Sequence, residues 1–399
     1  MKILIIGEVF YPEEFLINDL ALEWIKKGFH VDVLTRVPSY PQDKIFSGFK
    51  NKLFQKNDYM GITVFRFPVI LGYQRSKVVK VINYLNFIVC GSIIALAIGK
   101  NYDHVFIYQT GPLTIALPGV LIKKLFNKKT TIWIQDVWPD TVYAYGFKKT
   151  KFLEKFLDYL VKFIYKNTDN ILVSCEGFIP KITKYVQQKK IEWIPNWSLV
   201  KNSPLKNNFK LPGKFNFTFS GNIGKVQNLE NVILGFSKIS NTYTDVYLNI
   251  IGDGSYLAIL KKIITDSQIK NVIFYGRQPL EMMPSYFNAS DVLIISLIDE
   301  EIFKITVPSK FQSYLSANKP IMGVINGEVK DLILKYKIGR VAEPSSIASI
   351  VKIFEDFIKE GRDSTDIAEK VKGLNYGLFN REKNIEKITA SLQKHLPRQ

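Results

Sequence analysis

Short apolar segments recur along the chain, and most of them are followed by a segment in which apolar residues have helical spacing. In the first half they include Lys2–Ile6, His30–Thr35, His104–Tyr108 and Thr130–Ile134. Short apolar strands that alternate with helices are typical of parallel sheets covered by helices on both faces. The pattern therefore predicts an α/β fold.

The same pattern restarts after KNSPLKNNFKLPGK, a polar stretch rich in Pro, Asn and Lys that we interpret as a linker. The strands predicted after it are Phe215–Ser220, Val246–Ile251, Val272–Tyr275, Val292–Ser296, Pro320–Val324 and Gly339–Ala342. We expect an N-terminal Rossmann-like domain over residues 1–198, a second over 199–375, and a helix within 376–399 that packs back on the first. Ligands of such sheets bind at the carboxyl ends of the strands, so two facing domains would hold a ligand in the cleft between them.

Charge and cysteine content narrow the classes of partner. The 399 residues carry a formal net charge of +18, which favours an anionic partner, although a lysine-rich composition also keeps a protein in solution. Cys90 and Cys175 lack paired spacing and the three histidines are scattered, so neither a disulfide framework nor a metal site is expected. No nucleic-acid-binding motif appears, and we expect no nucleic acid partner.

One segment is apolar enough to raise the question of membrane contact. Val78–Ile98 is apolar but contains Lys80, Asn83 and Asn86, so we interpret it first as a helix inside a domain, second as an interfacial helix and last as a span. Many lysines between residues 123 and 166 form a basic surface that either rests on anionic lipid or is simply solvated. MKILIIGEVFYP does not fit a signal peptide, so we expect a cytoplasmic protein.

Glycines follow several predicted strands of the second half. FSGNIGK, residues 219–225, places Gly221, Asn222, Gly224 and Lys225 in a turn before a helix. Glycine lets the backbone approach a ligand closely, and a helix N-terminus favours anions. A tight strand-to-helix turn needs glycine in any case, so this motif alone is a weak signal.

Two further strand ends strengthen that signal. Gly252, Asp253 and Gly254 follow one predicted strand, and Gly276 and Arg277 follow another. Together the three ends predict a rim for a nucleotide diphosphate, although the chain lacks the G-x-G-x-x-G dinucleotide fingerprint.

Two other motifs carry polar side chains. Pro308 and Ser309 suit the start of a helix, and Lys310 in its first turn would face an anion or point to solvent. In WIQDVWPD, Asp136 lies just past a predicted strand, where a carboxylate can act as a base or bind a sugar hydroxyl.

The ordered set GEVFYPEE, TRVPSYPQ, QDVWPD, IPNW, FSGNIG, IIGDG and TVPSKFQSYLSANKPI resembles the retaining glycosyltransferases of family four, and more narrowly the fucosamine transferases of bacterial capsule and O-antigen pathways. The resemblance spans nearly the whole chain. It implies a GT-B fold, transfer without a metal or other cofactor, and a nucleotide-diphosphate donor, with UDP expected. It also implies an acceptor such as an undecaprenyl-pyrophosphate-linked sugar at the inner face of the plasma membrane.

The resemblance also implies roles for residues. The Gly221–Gly224 loop would face the donor pyrophosphate, Gly252–Gly254 would lie near the nucleotide, and Lys225 or Arg277, together with Lys310, would contact the diphosphate. Asp136 matches the position beside the donor sugar, and Asp136, Lys225 and Lys310 are the predicted catalytic residues.

Two departures from the family pattern stand out. Ile305 and Ser313 occupy positions where many relatives carry glutamates, so Glu300 and Glu301 are assigned to the donor site instead. Glu14-Phe15-Leu16 replaces the Gly-Gly pair that follows the first strand in many relatives. A nucleotide-sugar 2-epimerase and a non-catalytic membrane-associated nucleotide or saccharide binder remain as alternative functions.

Overall fold

The computed structural model describes residues 1–73, 75–144, 146–200, 209–361 and 365–393. The chain forms two compact units: the first combines Met1–Pro195 with the segment that starts at Glu382, and the second is Asn196–Arg381. We had expected the boundaries after residues 198 and 375. Residues 201–208 of the expected linker lie outside the described residues.

The first unit contains an eight-stranded sheet in the order β3-β4-β2-β1-β5-β6-β7-β8. Its strands are β1 (Lys2–Gly7), β2 (His30–Arg36), β3 (Gln55–Tyr59), β4 (Ile62–Phe67), β5 (His104–Gln109), β6 (Lys129–Ile134), β7 (Asn170–Val173) and β8 (Ile191–Trp193). All neighbouring strands are parallel except β3, which pairs antiparallel with β4. We did not predict β3, because its sequence QKNDY is polar and its side chains alternate only between half-buried and exposed at the sheet edge.

Helices of the first unit pack around this sheet. They are α1 (Leu16–Lys26), α2 (Lys77–Ile98), α3 (Leu117–Phe126), α4 (Asp140–Ala144), α5 (Lys151–Lys166) and α6 (Ile179–Ile182). A 3₁₀ turn, Leu113–Ala116, leads directly into α3. On α2 the buried residues Asn83, Phe87, Gly91 and Ala95 are four apart, so only one face of this helix packs into the unit.

The second unit contains a six-stranded parallel sheet in the order β11-β10-β9-β12-β13-β14. Its strands are β9 (Phe215–Ser220), β10 (Val246–Ile251), β11 (Val272–Gly276), β12 (Val292–Ser296), β13 (Ile321–Val324) and β14 (Gly339–Ala342). Each lies at a predicted position. The core includes Phe217, Phe219, Phe236 and Phe354, and the Phe217 and Phe354 rings pack edge to face at 4.7 Å.

Eight helices of the second unit have bounds in the structure: α7 (Leu229–Ser237), α8 (Leu257–Asp266), α9 (Met283–Ala289), α10 (Glu301–Lys304), α11 (Ser309–Leu315), α12 (Glu328–Tyr336), α13 (Ile347–Glu360) and α14 (Thr365–Tyr376). α11 begins at Ser309, where the sequence predicts the start of a helix.

The last described helix, α15 (Arg381–Gln393), packs on the first unit. The buried Trp24 donates a hydrogen bond from Nε1 to Thr389 Oγ1 at 2.9 Å. Asn384 Nδ2 donates to the carbonyl of Pro195 at 3.1 Å.

In each sheet the strand order reverses once, between β1 and β5 in the first unit and between β9 and β12 in the second. Ligands of open parallel sheets bind outside the carboxyl ends of the strands at such a switch point. These two edges are therefore where functional side chains are to be sought.

Candidate functional site

In the second unit, three neighbouring strands end in glycines with positive φ. Gly221 follows β9 with φ 138°, Gly252 follows β10 with φ 137°, and Gly276 ends β11 with φ 66°. The Gly221 N–H donates to Ile251 O at 2.9 Å, and the Gly252 N–H donates to Gly276 O at 2.8 Å. We call Gly221, Gly252, Gly254 and Gly276 the glycine rim.

Two members of the glycine rim have no room for a side chain. A Cβ on Gly252 would lie 1.9 Å from Gly221 O, and a Cβ on Gly254 would lie 2.4 Å from Ile223 O. The turn after β10 therefore lies directly on the turn after β9, and this contact requires glycine.

Lys310 lies at the same edge, across the switch point from β10. It belongs to the first turn of α11, which follows β12, and a Cβ on Gly221 would lie 3.5 Å from its Nζ. Lys310 Nζ donates to Gln227 Oε1 and lies 4.1 Å from the centroid of the Phe219 ring.

The neighbours of the Lys310 ammonium named above, Gln227, Phe219 and Gly221, are all uncharged. Within the part of the chain that the structure describes, no carboxylate forms an ion pair with it. Burial lowers the pKa of Lys310 to about 7, because the charged form loses hydration without gaining an opposite charge. A bound anion would supply that charge.

Other predicted residues surround the glycine rim with exposed side chains. Lys225 begins the 3₁₀ turn Lys225–Gln227, whose last residue accepts the Lys310 hydrogen bond. Arg277 directly follows Gly276. Asn222 and Asp253 are also exposed, and Asp253 O accepts a hydrogen bond from the Ile223 N–H at 2.9 Å.

The remaining predicted donor residues lie around α10 and α11. Pro308 precedes α11, and its carbonyl accepts from the Phe311 N–H at 2.9 Å, while Ser309 is exposed. Glu300 and Glu301 are both exposed, and Glu301 pairs with Lys304 Nζ at 2.8 Å. The structure therefore brings Lys310 to the glycine rim, whereas the charge of Glu301 is offset by a surface lysine.

The first unit also collects polar side chains at its switch point. Asp136 follows β6, and its pKa is raised to about 7, mainly by burial and further by the charge of Glu8, while Lys80 opposes the shift. Glu8 follows β1 and Lys80 lies on α2. A carboxyl group with a pKa near neutrality can accept or donate a proton at physiological pH.

A buried charge network supports this edge. Glu13, Arg36 and Arg66 are 2%, 5% and 1% exposed. Glu13 Oε1 accepts from the N–H groups of Ser39 and Tyr40 at 2.9 and 2.8 Å.

The two arginines extend the network. Arg36 Nη1 donates to Ser39 Oγ at 2.6 Å, and Arg66 Nη1 donates to Arg36 O at 3.1 Å. Our sequence reasoning missed Glu8, Lys80 and this network. The only signal available was the position of Glu8 and Arg36 at the ends of predicted strands.

The described residues contain no group of three or more His, Cys, Asp or Glu side chains that could hold a metal ion. The chemistry that they offer is instead a lysine and backbone N–H groups in the second unit, and carboxyl groups in the first.

Comparison with known proteins connects this geometry to an activity. Residues 203–373 match the family model described as "Glycosyl transferases group 1". The chain is 26% identical to the "Probable glycosyltransferase WbjE" of Pseudomonas aeruginosa over 62% of its own length and 64% of that protein. It is 25% identical to the "Putative colanic acid biosynthesis glycosyl transferase WcaI" of Escherichia coli K12 over 88% of its own length and 90% of that protein.

Solved structures agree on the fold. An E. coli trehalose-6-phosphate structure bound with UDP-2-fluoro glucose has a TM-score of 0.74 at 10% identity, and the match covers 100% of this chain and 100% of that chain. Anabaena HepE in complex with UDP and glucose has a TM-score of 0.67 at 12% identity, covering 98% of this chain and 99% of HepE. The two parallel α/β units, the matched domain and these relatives together identify the chain as a glycosyltransferase with a GT-B fold.

Proposed function

We propose that this enzyme is a retaining glycosyltransferase that moves a sugar from a UDP-linked donor to a lipid-linked saccharide during surface polysaccharide biosynthesis. The donor sugar that we propose is an N-acetylated 6-deoxy amino sugar such as N-acetylfucosamine. The observation that carries the proposal is the ammonium of Lys310 beside Gly221, which forms no ion pair with a carboxylate among the described residues. The UDP bound to HepE and the colanic acid pathway named for WcaI support the donor and the pathway.

The chemical task is to stabilise a leaving nucleoside diphosphate while the sugar becomes oxocarbenium-like. Electrostatic stabilisation by preorganised donors is usually the largest contribution to such catalysis. Lys310 and the backbone N–H groups near the glycine rim would bind the diphosphate charge, with the exposed Lys225 and Arg277 adding to it. We propose that the acceptor hydroxyl attacks on the face from which the leaving group departs, which retains the configuration, and that the departing phosphate takes the hydroxyl proton.

The test is a screen of UDP-, GDP- and TDP-sugars with a short-chain lipid-pyrophosphate sugar as acceptor, read by mass spectrometry. We expect transfer from a UDP-sugar, with retention of anomeric configuration by NMR. Lys310→Ala should lower turnover at least tenfold, and the exposed Lys352→Ala on α13 is the matched control. Unchanged turnover in Lys310→Ala would reject the role of Lys310, and conversion of the donor without acceptor would indicate an epimerase.

We further propose that the first unit binds the anionic surface of the cytoplasmic membrane leaflet, which would make the protein peripheral. α5 exposes Phe152, Phe156 and Tyr159 to 82%, 53% and 71%, and these residues recur at helical spacing. Lys151, Lys155 and Lys162 are exposed on the same helix. Aromatic anchors next to lysines suit the interface of an anionic bilayer.

α2 adds a second apolar surface to this unit. Val78, Leu85, Val89 and Ile93 are each more than half exposed, on the residues opposite to the buried face. By length and composition, Lys77–Asn101 is the one segment among the described helices that could cross a bilayer. Because Asn83, Phe87, Gly91 and Ala95 are buried in the unit, we favour interfacial contact.

Vesicle sedimentation tests the membrane proposal. We expect binding to vesicles rich in phosphatidylglycerol that weakens in high salt, and little binding to phosphatidylcholine alone. Phe152→Ser with Phe156→Ser should reduce binding at least tenfold, whereas Leu334→Ser should not, although Leu334 on α12 is about as exposed as Phe156. Equal binding by the double variant and the wild type would exclude α5 as the contact.

A further inference from the structure

Two exposed tyrosines lie in the loops that follow β1 and β2, which are neighbouring strands of the first sheet. Tyr11 follows β1 and is 42% exposed, and Tyr40 follows β2 and is 44% exposed. Burial of a ring of this size would stabilise the fold, and this stabilisation is partly lost at both positions. Because ligands of parallel sheets bind at the carboxyl ends of the strands, the two rings are candidates for contact with a ligand.

One buried carboxylate joins the two loops. Glu13 Oε2 accepts the Phe10 N–H at 3.3 Å, next to Tyr11 in the chain, and Glu13 Oε1 accepts the Tyr40 N–H at 2.8 Å. Burial of a carboxylate is unfavourable unless hydrogen bonds compensate for the lost hydration. Here the compensating groups include backbone N–H groups of both loops, so the two loops are held against the same side chain.

A buried arginine and further aromatic rings hold the two tyrosines in place. Arg66 Nη2 donates a hydrogen bond to the carbonyl of Tyr11. The Tyr11 ring stacks on the Tyr59 ring of β3, with centroids 3.9 Å apart and planes inclined by 18°. The Tyr40 ring packs near the Phe15 ring, with centroids 5.7 Å apart. Each tyrosine is thus held at its backbone and at its ring, so little side-chain freedom would be lost when a ligand binds.

We propose that Tyr11 and Tyr40 form an aromatic platform that stacks against a sugar ring of the acceptor saccharide, with Glu13 and Arg66 as its positioning residues. The identification of the sugar as the acceptor rests on the proposed function, whereas the platform as a saccharide-binding surface does not. Every residue of the platform and of its support belongs to the first unit.

The chemistry of the platform favours a saccharide. The face of an aromatic ring carries partial negative charge, and the C–H groups on one face of a pyranose present a weakly positive, apolar surface to it. The phenol hydroxyl at the rim of each ring can donate to and accept from sugar hydroxyl groups. A phosphate or carboxylate gains nothing from such a face. A proline-rich peptide would also stack on tyrosines, but the substrates of a glycosyltransferase are sugars.

Saturation-transfer NMR on the full chain tests the platform without any transfer reaction. The probes are methyl β-glucoside, methyl β-galactoside and methyl N-acetyl-β-glucosaminide, and sorbitol, which has no ring, is the control. We expect saturation of at least one glycoside to be concentrated on the C–H protons of one ring face, because stacking brings only that face to the tyrosines. Equal saturation of both faces, or saturation of a pentaproline peptide and of no glycoside, would overturn the proposal. The absence of saturation in all the probes would overturn it as well.

Substitutions separate stacking from a loss of fold. Tyr11→Ala with Tyr40→Ala should weaken glycoside binding roughly tenfold, whereas Tyr11→Phe with Tyr40→Phe retains the rings and should retain binding. Tyr376→Ala is the matched control, since Tyr376 on α14 is 53% exposed. If thermal unfolding shows that the alanine variant does not fold, leucine at both positions provides an apolar but non-aromatic replacement. Wild-type binding by the folded non-aromatic variant would refute the platform.

The positioning role has its own readout. Glu13→Gln removes the charge that holds both loops, so saturation should become more even between the two ring faces. The exposed Glu14→Gln in the same loop should leave the contrast between the faces unchanged. An unchanged contrast in Glu13→Gln would show that Glu13 does not position the rings.

Kinetics identify the sugar that the platform binds. With the donor and acceptor found in the screen, Tyr11→Ala with Tyr40→Ala should raise the KM for the acceptor roughly tenfold and leave kcat and the KM for the donor unchanged, as expected when binding common to ground and transition states is lost. A rise in the KM for the donor alone would overturn the assignment to the acceptor. If the wild type transfers no sugar, the proposed function fails, and the NMR experiment still decides whether the platform binds saccharides.

Discussion

The two units present different kinds of chemical group at the equivalent edges of their parallel sheets. In the second unit the edge consists of backbone, since the glycine rim brings the turns after β9 and β10 into direct contact and Lys310 supplies one charge. In the first unit the edge consists of side chains, with Glu8 and Asp136 supported by Arg36 and Lys80. Backbone groups at the edge of the second unit suit the diphosphate that all nucleoside diphosphates share. At the edge of the first unit, a single substitution of a side chain can change which ligand is bound.

The largest expected effect is that of Gly252→Ala in the second unit. The new Cβ would meet Gly221 O at 1.9 Å in a left-handed backbone conformation, so we expect a loss of several kcal/mol of stability and of UDP binding. Gly276→Ala is the matched control, because Gly276 also has positive φ but no atom within 4 Å of the added carbon. Thermal unfolding and UDP titration measure both variants. Equal losses in the two would show that backbone conformation, not the contact between turns, sets the requirement.

An effect of intermediate size is expected in how folding stability depends on pH, and it has opposite directions for the two units. The raised pKa of Asp136 penalises the folded state increasingly from pH 3.8 to about 7, so Asp136→Asn should stabilise most above pH 7. The lowered pKa of Lys310 penalises folding fully below about 7 and less as the pH rises towards 10.5, so Lys310→Met should stabilise most in acid. We expect gains on the order of 2 kcal/mol with opposite pH dependence, measured by denaturant unfolding at pH 5.5 and 9. If the stabilisation by both substitutions changed with pH in the same direction, the proposed difference between the two units would be wrong.

The smallest expected effect is the uptake of less than one proton when UDP binds. A diphosphate near Lys310 should restore its charge, so UDP binding at pH 8 should take up protons. Calorimetry in buffers with different ionisation enthalpies measures this uptake. Lys310→Met should lose it, and Asp136→Asn should keep it. Uptake that survives in Lys310→Met would assign the proton to another group.

The same contrast explains what could be predicted from the sequence. The β9-to-β12 region was predictable because close backbone approach demands glycine, and glycines after apolar strands are visible in one sequence. Glu8, Arg36 and Asp136 are far apart in the chain and meet only through the strand order, which no local pattern encodes. The edge strand β3 was missed for a related reason, because a polar strand with one neighbour carries no apolar signature.

The return of α15 to the first unit has a consequence for biosynthesis. Trp24, in the first helix of the chain, is completely buried and finds its hydrogen-bond partner in Thr389. During translation the indole can pack edge to face on Phe106, 5.1 Å away, well before its N–H can reach Thr389, because residue 389 leaves the ribosome much later. A shortened chain lacking this helix would leave the indole N–H without its Thr389 partner, so the packing around α1 is completed only after α15 has been made.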